Sequence, residues 1–197
     1  MLLMIALATT AQSKPTGYVD GYGYVDLGLS VKWATCNIGA DAPEEYGDYY
    51  AWSEIETKYE FTAATSLSYG QTIVDFYDAA TANMGSAWRT PTLREFQELL
   101  DNCKWTWTKV GDYYGYLVKS RRNSNSIFLP AAGTRVETQY ANFGDWGHYW
   151  SSDQYQNDPT MAQGFNFYAD NCTIVWTYRY YGRTIRPVTN NTDANEK

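Results

Sequence analysis

Apolar and polar residues alternate along residues 24–34, and Gly28 interrupts the alternation. An alternation with a period of two is typical of half-buried strands, and a glycine between two such runs indicates a turn. The pattern therefore predicts a hairpin or two short strands. Residues 39–47 follow as a predicted loop that carries Pro43, and residues 49–52 form another short strand-like run.

Two helices are predicted in the middle of the chain. Residues 75–84 are rich in alanine and end at Gly85. The second helix begins at a capping box of Thr92 and Glu95, whose side chains each accept a hydrogen bond from the other residue's backbone amide. The apolar residues at helical spacing in this second segment are Leu93, Phe96, Leu99, Leu100 and Cys103. This spacing predicts a helix that covers the core.

After the second helix the pattern returns to short runs bounded by turn residues, at 105–108, 115–119 and 126–130. Two helices followed by many short strands and long loops indicate an α+β fold with small, irregular antiparallel sheets.

The 197 residues suit one domain. We divide them into a signal-peptide-like segment and leader at 1–16, a domain at 17–188, and a polar tail at 189–197 that we expect to be disordered. The apolar run at 1–11 resembles a secretory signal and is too short to span a bilayer. Because no basic residue precedes this run, either the true start lies upstream or the signal is weak. We expect a secreted or cell-surface protein.

Composition narrows the class of protein further. Aromatic residues make up 17% of the chain and charged residues 19%, with a net charge of −7. A nucleic-acid partner is disfavoured because the chain has no basic stripe for phosphates. Cys36, Cys103 and Cys172 have no CxxC spacing, which disfavours a zinc site. Cys36 could pair with Cys103, or all three could be small buried hydrophobes.

The last third of the chain is rich in aromatic and small polar residues. Its rings are Tyr140, Phe143, Trp146, Tyr149, Trp150, Tyr155, Phe165, Phe167, Tyr168, Trp176, Tyr178, Tyr180 and Tyr181. Tyr and Trp provide large contact areas while few torsions are frozen, and small polar residues provide adaptable hydrogen bonds. This composition is typical of a binding surface. The alternative is that half or more of the rings fill the core.

Reactive groups are scarce. His148 is the single histidine and lies near Ser151 and Asp153, but the sequence has no nucleophile-elbow motif. A surface or packing histidine is the favoured interpretation, so we expect a protein that is not an enzyme.

We expect no cofactor, and a calcium-binding site is kept as an alternative. The acidic and amide residues that could form an untypical calcium site are Asp153, Asn157, Asp158, Asp170 and Asn171. The lectin triplets Glu-Pro-Asn and Trp-Asn-Asp do not occur in the chain. Stacking of a sugar ring on Trp146 or Trp176 needs no metal and also stays open.

Several successive motifs carry a resemblance to a known family. They are YVDLGLSVKWATCNIG at 24–39, WRTPT at 88–92 with EF at 95–96, FLPAAGTR at 128–135, YWSS at 149–152 and RPV at 186–188. Together they resemble the fibrobacter-type major paralogous domain, found in exported proteins of gut bacteria. The resemblance implies the C-type lectin-like fold of formylglycine-generating enzymes. Those enzymes hold copper with two C-terminal cysteines, whereas only Cys172 lies in that region here, so their activity is not supported.

The resemblance also extends to variable proteins of diversity-generating retroelements, in which a C-terminal segment is rewritten at adenines. Residues 137–181 are similar to such a segment. The ligand-facing positions that it implies are Thr138, Gln139, Tyr140, Asn142, Asp145, Trp146, His148, Asp153, Gln154, Gln156, Asn157, Tyr168, Asp170, Asn171, Thr173, Trp176 and Tyr178. We expect a protein or glycan ligand at a cell or phage surface, with no nucleic acid and no membrane span. The alternative hypothesis is a structural or adhesive surface protein. A residual enzyme is the third hypothesis. Arg183 and Arg186 are expected to bridge carbonyl or carboxylate groups of the scaffold.

Overall fold

The computed structural model of the protein describes residues 14–73 and 75–190. Its helices are α1 (Ala79–Met84) and α2 (Leu93–Asn102). Its strands are β1 (Gly17–Val19), β2 (Tyr22–Val25), β3 (Val31–Ala34), β4 (Trp88–Arg89), β5 (Cys103–Val110), β6 (Tyr113–Ser120), β7 (Ser126–Pro130), β8 (Thr134–Val136), β9 (Gln139–Ala141), β10 (Trp146–Gln154), β11 (Met161–Tyr168), β12 (Asn171–Tyr178) and β13 (Val188–Asn190).

The expectation of an α+β fold of the C-type lectin-like type, with two helices, small irregular sheets and long loops, is wrong. The described chain is mostly β, with thirteen strands in four antiparallel sheets and only two short helices. The difference arises mainly at residues 134–178, for which the pattern predicts no particular strand and which form β8 to β12. Tyr, Trp, Phe and Thr favour strands, and tertiary pairing accommodates the polar residues at exposed strand positions and turns.

The five-stranded sheet brings the two ends of the described chain together. Its strand order is β1-β2-β3-β13-β4, so β13 lies between β3 and β4. The predicted hairpin at 24–34 is confirmed as β2 and β3, with Gly28 in the connection at a φ of 69°. Thr189, assigned to the polar tail, is a buried residue of β13, and Asn190 ends that strand. The signal-like residues 1–13 and the tail from 191 lie outside the described residues.

The capping box of α2 is confirmed. The Thr92 hydroxyl accepts from the Glu95 amide, and the Glu95 carboxylate accepts from the Thr92 amide at 2.7 Å. Arg89 pairs with the same carboxylate, and these hydrogen bonds lower the pKa of Glu95 against the opposing effect of burial, which is the largest single contribution. α1 ends before Gly85 as predicted. It begins at Ala79 rather than at residue 75, because the Asp78 side chain caps it.

Rings dominate the core between α2 and the sheets. Phe96 of α2 packs against Trp33 and stacks on Phe165, with ring centroids 5.3 and 4.8 Å apart. Of the C-terminal rings, Tyr149, Trp150, Phe165 and Phe167 are buried. Four of the thirteen rings is fewer than the half or more that the core alternative requires. The other nine rings are exposed or half-buried, and one of them, Tyr181, packs against a buried cluster.

Arg186 has the scaffold role expected of it. Its buried guanidinium donates to the Asn37 side chain and to the carbonyls of Ala34, Thr35, Pro43 and Phe128. This residue fixes the chain before β13 to three other segments. Arg183 is also buried, but it donates to the Asn166 amide oxygen and lies over the Trp150 ring.

All three cysteines are free thiols. Cys103 is buried, and Cys36 and Cys172 are half-buried. The run at 49–52 forms no strand; Tyr50 instead makes an isolated bridge to Arg183.

Candidate functional site

A surface cleft of about 310 Å³ lies between two sheets. The residues that line it are Trp107, Tyr114, Gly144, Asp145, Trp146, Tyr168 and Ala169. Four of these seven residues are aromatic. The cleft lies between the β5–β6 hairpin and the sheet of order β10-β11-β12. Its two walls therefore come from distant parts of the chain.

The β5–β6 hairpin provides one wall. Trp107 pairs with Tyr116, and Tyr114 lies two residues away from Tyr116 on the same strand, so the three side chains share one face. The rings of Trp107 and Tyr114 are nearly parallel, with an interplanar angle of 11° and centroids 6.3 Å apart. Tyr116 anchors this wall, since its hydroxyl donates to the Tyr168 and Ala169 carbonyls.

The start of β10 and the end of β11 provide the other wall. Trp146 and Tyr168 are directly opposite each other in the β10–β11 pair, and their ring centroids are 4.5 Å apart. Asn142 holds the preceding turn at a φ of 60°, and its carbonyl accepts from the amides of Asp145 and Trp146. The turn thus places the exposed Asp145 beside the Trp146 ring.

The polar groups of this lining have no hydrogen-bond partner in the described part of the chain. The side chains of Tyr114, Asp145 and Tyr168 make no hydrogen bond to the described residues, and the same holds for the indole N–H groups of Trp107 and Trp146. None of these atoms is among the buried unpaired ones. The lining therefore offers two indole donors, two phenol groups and a carboxylate to an outside ligand.

A row of rings continues from the cleft. Tyr46 contacts Tyr113 and Phe143, with centroids 5.0 and 4.8 Å apart, and Phe143 contacts Tyr140 at 4.9 Å. Tyr140 and Phe143 are about half exposed, at 55% and 46%. Burial of the Tyr46 phenol raises its pKa, and the nearby Tyr113 and the Asp145 carboxylate raise it further. The Tyr46 phenol therefore stays neutral beside the cleft.

A second group of rings lies at the opposite end of the same sheet. Trp176 is 59% exposed and packs against Tyr155 with centroids 5.2 Å apart. Tyr178 stacks on Tyr180 at 5.3 Å, and Tyr69 contacts both. β12 runs from Asn171 to Tyr178, so roughly 23 Å separate its two ends. We name the end with Trp146 and Tyr168 the cleft end and the end with Trp176 and Tyr178 the far end.

The seventeen predicted ligand-facing residues divide between these places. At the cleft end and on the chain that leads to it are Thr138, Gln139, Tyr140, Asn142, Asp145, Trp146, Tyr168, Asp170 and Asn171. At the far end are Asp153, Gln154, Gln156, Asn157, Trp176 and Tyr178. Thr173 and His148 lie between the two ends. The structure thus brings together about half of the predicted set and separates it from the rest.

His148 is buried, with 6% of its surface exposed, and neither ring nitrogen has a hydrogen-bond partner among the described residues. Its ring is parallel to Trp146, with centroids 5.8 Å apart. Burial, and secondarily the Arg183 charge, lower the pKa of His148 to about 4, while Asn166 opposite it offsets part of the effect. This placement disfavours direct ligand contact.

The neighbours of His148 do not form a catalytic arrangement with it. The Ser151 hydroxyl donates to the Gln163 carbonyl, and the Asp153 carboxylate accepts from the Leu93 amide at the start of α2. Asp158 is similarly engaged with Thr160. Across residues 14–73 and 75–190, no group of three or more histidine, cysteine or acidic side chains could hold a metal ion.

Sequence reasoning missed the first wall of the cleft. Trp107 and Tyr114 lie outside the C-terminal segment, as do Tyr46 and Tyr113 in the ring row. A signal existed, since rings recur at every second position in β5 and β6, as Trp105 and Trp107 and as Tyr114 and Tyr116. Alternate rings in two consecutive strands indicate one aromatic face of a hairpin.

The fold and the cleft define a mostly β domain with an aromatic surface site. A family model described as a domain of unknown function (DUF8237) matches residues 114–188. The matched stretch is less than half of the chain, begins at Tyr114 and includes the second wall of the cleft. No curated protein and no solved structure matches the chain. None of the helices within the described ranges has the length and apolar character needed to cross a bilayer.

Proposed function

We propose that this protein is an exported ligand-binding protein and that its binding site is the cleft end of the β10-β11-β12 sheet. The observation that carries the proposal is the set of polar groups, on the four rings and Asp145 of the cleft, that have no hydrogen-bond partner within residues 14–73 and 75–190. A protein surface that serves only folding does not need rings from two sheets to stand apart around an open space. Pockets that bind ligands combine such apolar walls with a few convergent polar groups.

Binding rather than catalysis fits the side chains at hand. His148, Ser151 and Asp153 are each buried or hydrogen-bonded to the scaffold. General acid–base chemistry needs a titratable group within reach of a substrate. At the cleft, Asp145 is the one acidic lining residue, and the other lining residues are rings, glycine and alanine.

We also propose that the segment 137–181 is diversified by a retroelement. β11 and β12 pair in continuous register, and β10 pairs with β11 in register from Trp146 to Trp150 before the register shifts between Trp150 and Gln154. Such pairing tolerates changes of exposed side chains, and sixteen of the seventeen candidate positions are exposed or half-buried. The test is the gene's surroundings: a near-copy of its 3′ end that differs mainly at adenines, beside a reverse transcriptase, is expected.

The experiment for the binding proposal uses two matched variants. Trp146→Ala with Tyr168→Ala removes one indole and one phenol at the cleft end; Trp176→Ala with Tyr178→Ala does the same at the far end. Binding of the labelled protein to bacterial envelope preparations and to immobilised mucin is measured, together with the melting temperature. We expect a loss of about tenfold or more for the cleft-end pair, as for buried ring contacts at interfaces, and less than twofold for the far-end pair.

If the cleft-end variant bound as tightly as the far-end variant, the cleft end would not be the binding site. The alternative, a structural or adhesive surface protein, is favoured by one observation: β12 is an edge strand with Ile174, Trp176 and Tyr178 exposed. If the far-end pair abolished self-association in sedimentation while the cleft-end pair had no effect, that alternative would replace the proposal.

A further inference from the structure

The ligand class of the cleft can be inferred from the kinds of groups that line it. Flat rings stand on both walls, with Trp107 and Tyr114 on one and Trp146 and Tyr168 on the other. The unpaired polar groups include donors, the two indole N–H groups, and an acceptor, the Asp145 carboxylate. The two phenols can donate or accept. A ligand that satisfies this lining needs apolar faces together with groups that both donate and accept hydrogen bonds.

Three ligand chemistries can be compared on this basis. A purely apolar ligand would bury the carboxylate and the N–H groups without partners, and each such group costs free energy when desolvated. A quaternary or methylated ammonium would favour the rings and Asp145 but accepts no hydrogen bond from the indoles. A sugar presents C–H faces that stack on rings and hydroxyls that donate to the carboxylate and accept from the indoles.

We infer that the cleft binds a neutral carbohydrate through Trp107, Tyr114, Asp145, Trp146 and Tyr168. This inference rests on the proposed function and specifies its ligand. The cleft volume of about 310 Å³ lies at the small end of ligand pockets, which suits a short stretch of a glycan rather than a protein surface. Asp145 and the exposed Asp170, next to the lining residue Ala169, disfavour acidic sugars by charge repulsion.

The recognition that we infer uses rings and hydrogen bonds and needs no metal. Binding is therefore expected to be unchanged by EDTA. This property separates the cleft from a calcium-dependent sugar site, in which the ion itself binds the hydroxyls.

The test uses an array of neutral and acidic oligosaccharides, followed by saturation-transfer NMR with the methyl glycosides of the bound sugars. Tyr114→Ala and Asp145→Asn are the test variants; both residues are exposed, so the fold is expected to persist. Tyr77→Ala is the matched control, because Tyr77 is 64% exposed in the segment before α1. We expect binding of at least one neutral glycan in EDTA, about tenfold weaker in each test variant and unchanged in the control.

A second arm separates this inference from the proposed function. Periodate cleaves the vicinal diols of sugars, so periodate treatment of the mucin or envelope surface is expected to abolish binding, whereas protease treatment leaves glycan-borne binding intact. If protease abolished binding and periodate did not, the ligand would be a protein: the carbohydrate inference would fall and the proposed function would stand. Binding of tetramethylammonium without any glycan would also overturn the inference. If no surface and no glycan bound, both proposals would fail.

Discussion

The two ends of the β10-β11-β12 sheet have similar compositions and different surroundings. At the cleft end, Trp146 and Tyr168 face two rings of the β5–β6 hairpin across an open space. At the far end, Trp176 packs on Tyr155, and Tyr178 lies within a cluster of tyrosines. The cleft-end rings meet a second sheet, whereas the far-end rings mostly meet neighbours from the same part of the chain.

This difference shows that an aromatic and polar composition does not by itself make a cleft. Rings contact one another at both ends, with centroids 4.5 Å apart for Trp146 and Tyr168 and 5.2 Å apart for Trp176 and Tyr155. At the cleft end a second pair of rings, from another sheet, faces them across an open space. Phe167, beneath the cleft end, contacts Trp107, Tyr116 and Tyr149 in the core.

The largest stability effect is expected for Gly147→Ala, which tests the floor of the cleft end. A Cβ at Gly147 would lie 2.0 Å from the Phe167 ring, and that ring is fully buried among other rings. Overpacking of this kind costs about 3 kcal/mol, measured by urea unfolding. Gly111→Ala is the control, because its Cβ would meet nothing within 4 Å and only the φ of 55° is unfavourable, which costs about 1 kcal/mol. Equal losses would show that the Phe167 ring can move.

A smaller effect is expected from the protonation of His148. Its pKa of about 4 in the folded protein lies below the ordinary value of 6.5, so the unfolded chain takes up a proton first as the pH falls. Stability is therefore full above pH 6.5 and declines towards pH 4. The expected loss between pH 7.5 and pH 5 is about 2 kcal/mol.

Urea unfolding of the wild type and of His148→Phe at both pH values measures this loss. The phenyl ring keeps the stacking on Trp146 but cannot be protonated, so the variant should lose much less stability between the two pH values. If the variant showed the same pH dependence as the wild type, His148 would not be buried neutral beneath the cleft end.

The smallest effect concerns Asn142, which the resemblance placed among the ligand-facing residues and the structure places at a positive φ. Asn142→Ala is expected to cost about 1 kcal/mol, because alanine disfavours that backbone conformation. Asn142→Gly should keep both stability and binding, since glycine adopts it freely. If Asn142→Gly weakened binding while unfolding was unchanged, the amide side chain would contact the ligand and the cleft would extend to this turn.

Local patterns predicted the local elements well. The capping box of Thr92 and Glu95, the end of α1 at Gly85 and the hairpin around Gly28 depend on interactions between residues close in sequence. Residues 137–181 were harder, because rings mixed with Asn, Asp and Gln suit loops and strands equally. Pairing with a neighbouring strand decides between these states, and that pairing is a long-range event.

Composition alone shows that this chain is aromatic and acidic and carries many rings near its carboxyl end. Which rings are buried, and which of the others stand around an open cleft, depends on how the sheets pack against each other. Burial and hydrogen-bond satisfaction belong to pairs of groups rather than to single residues, so composition alone does not fix them. Trp146 lines the cleft because β5 and β6, some forty residues earlier, fold against β10 and β11.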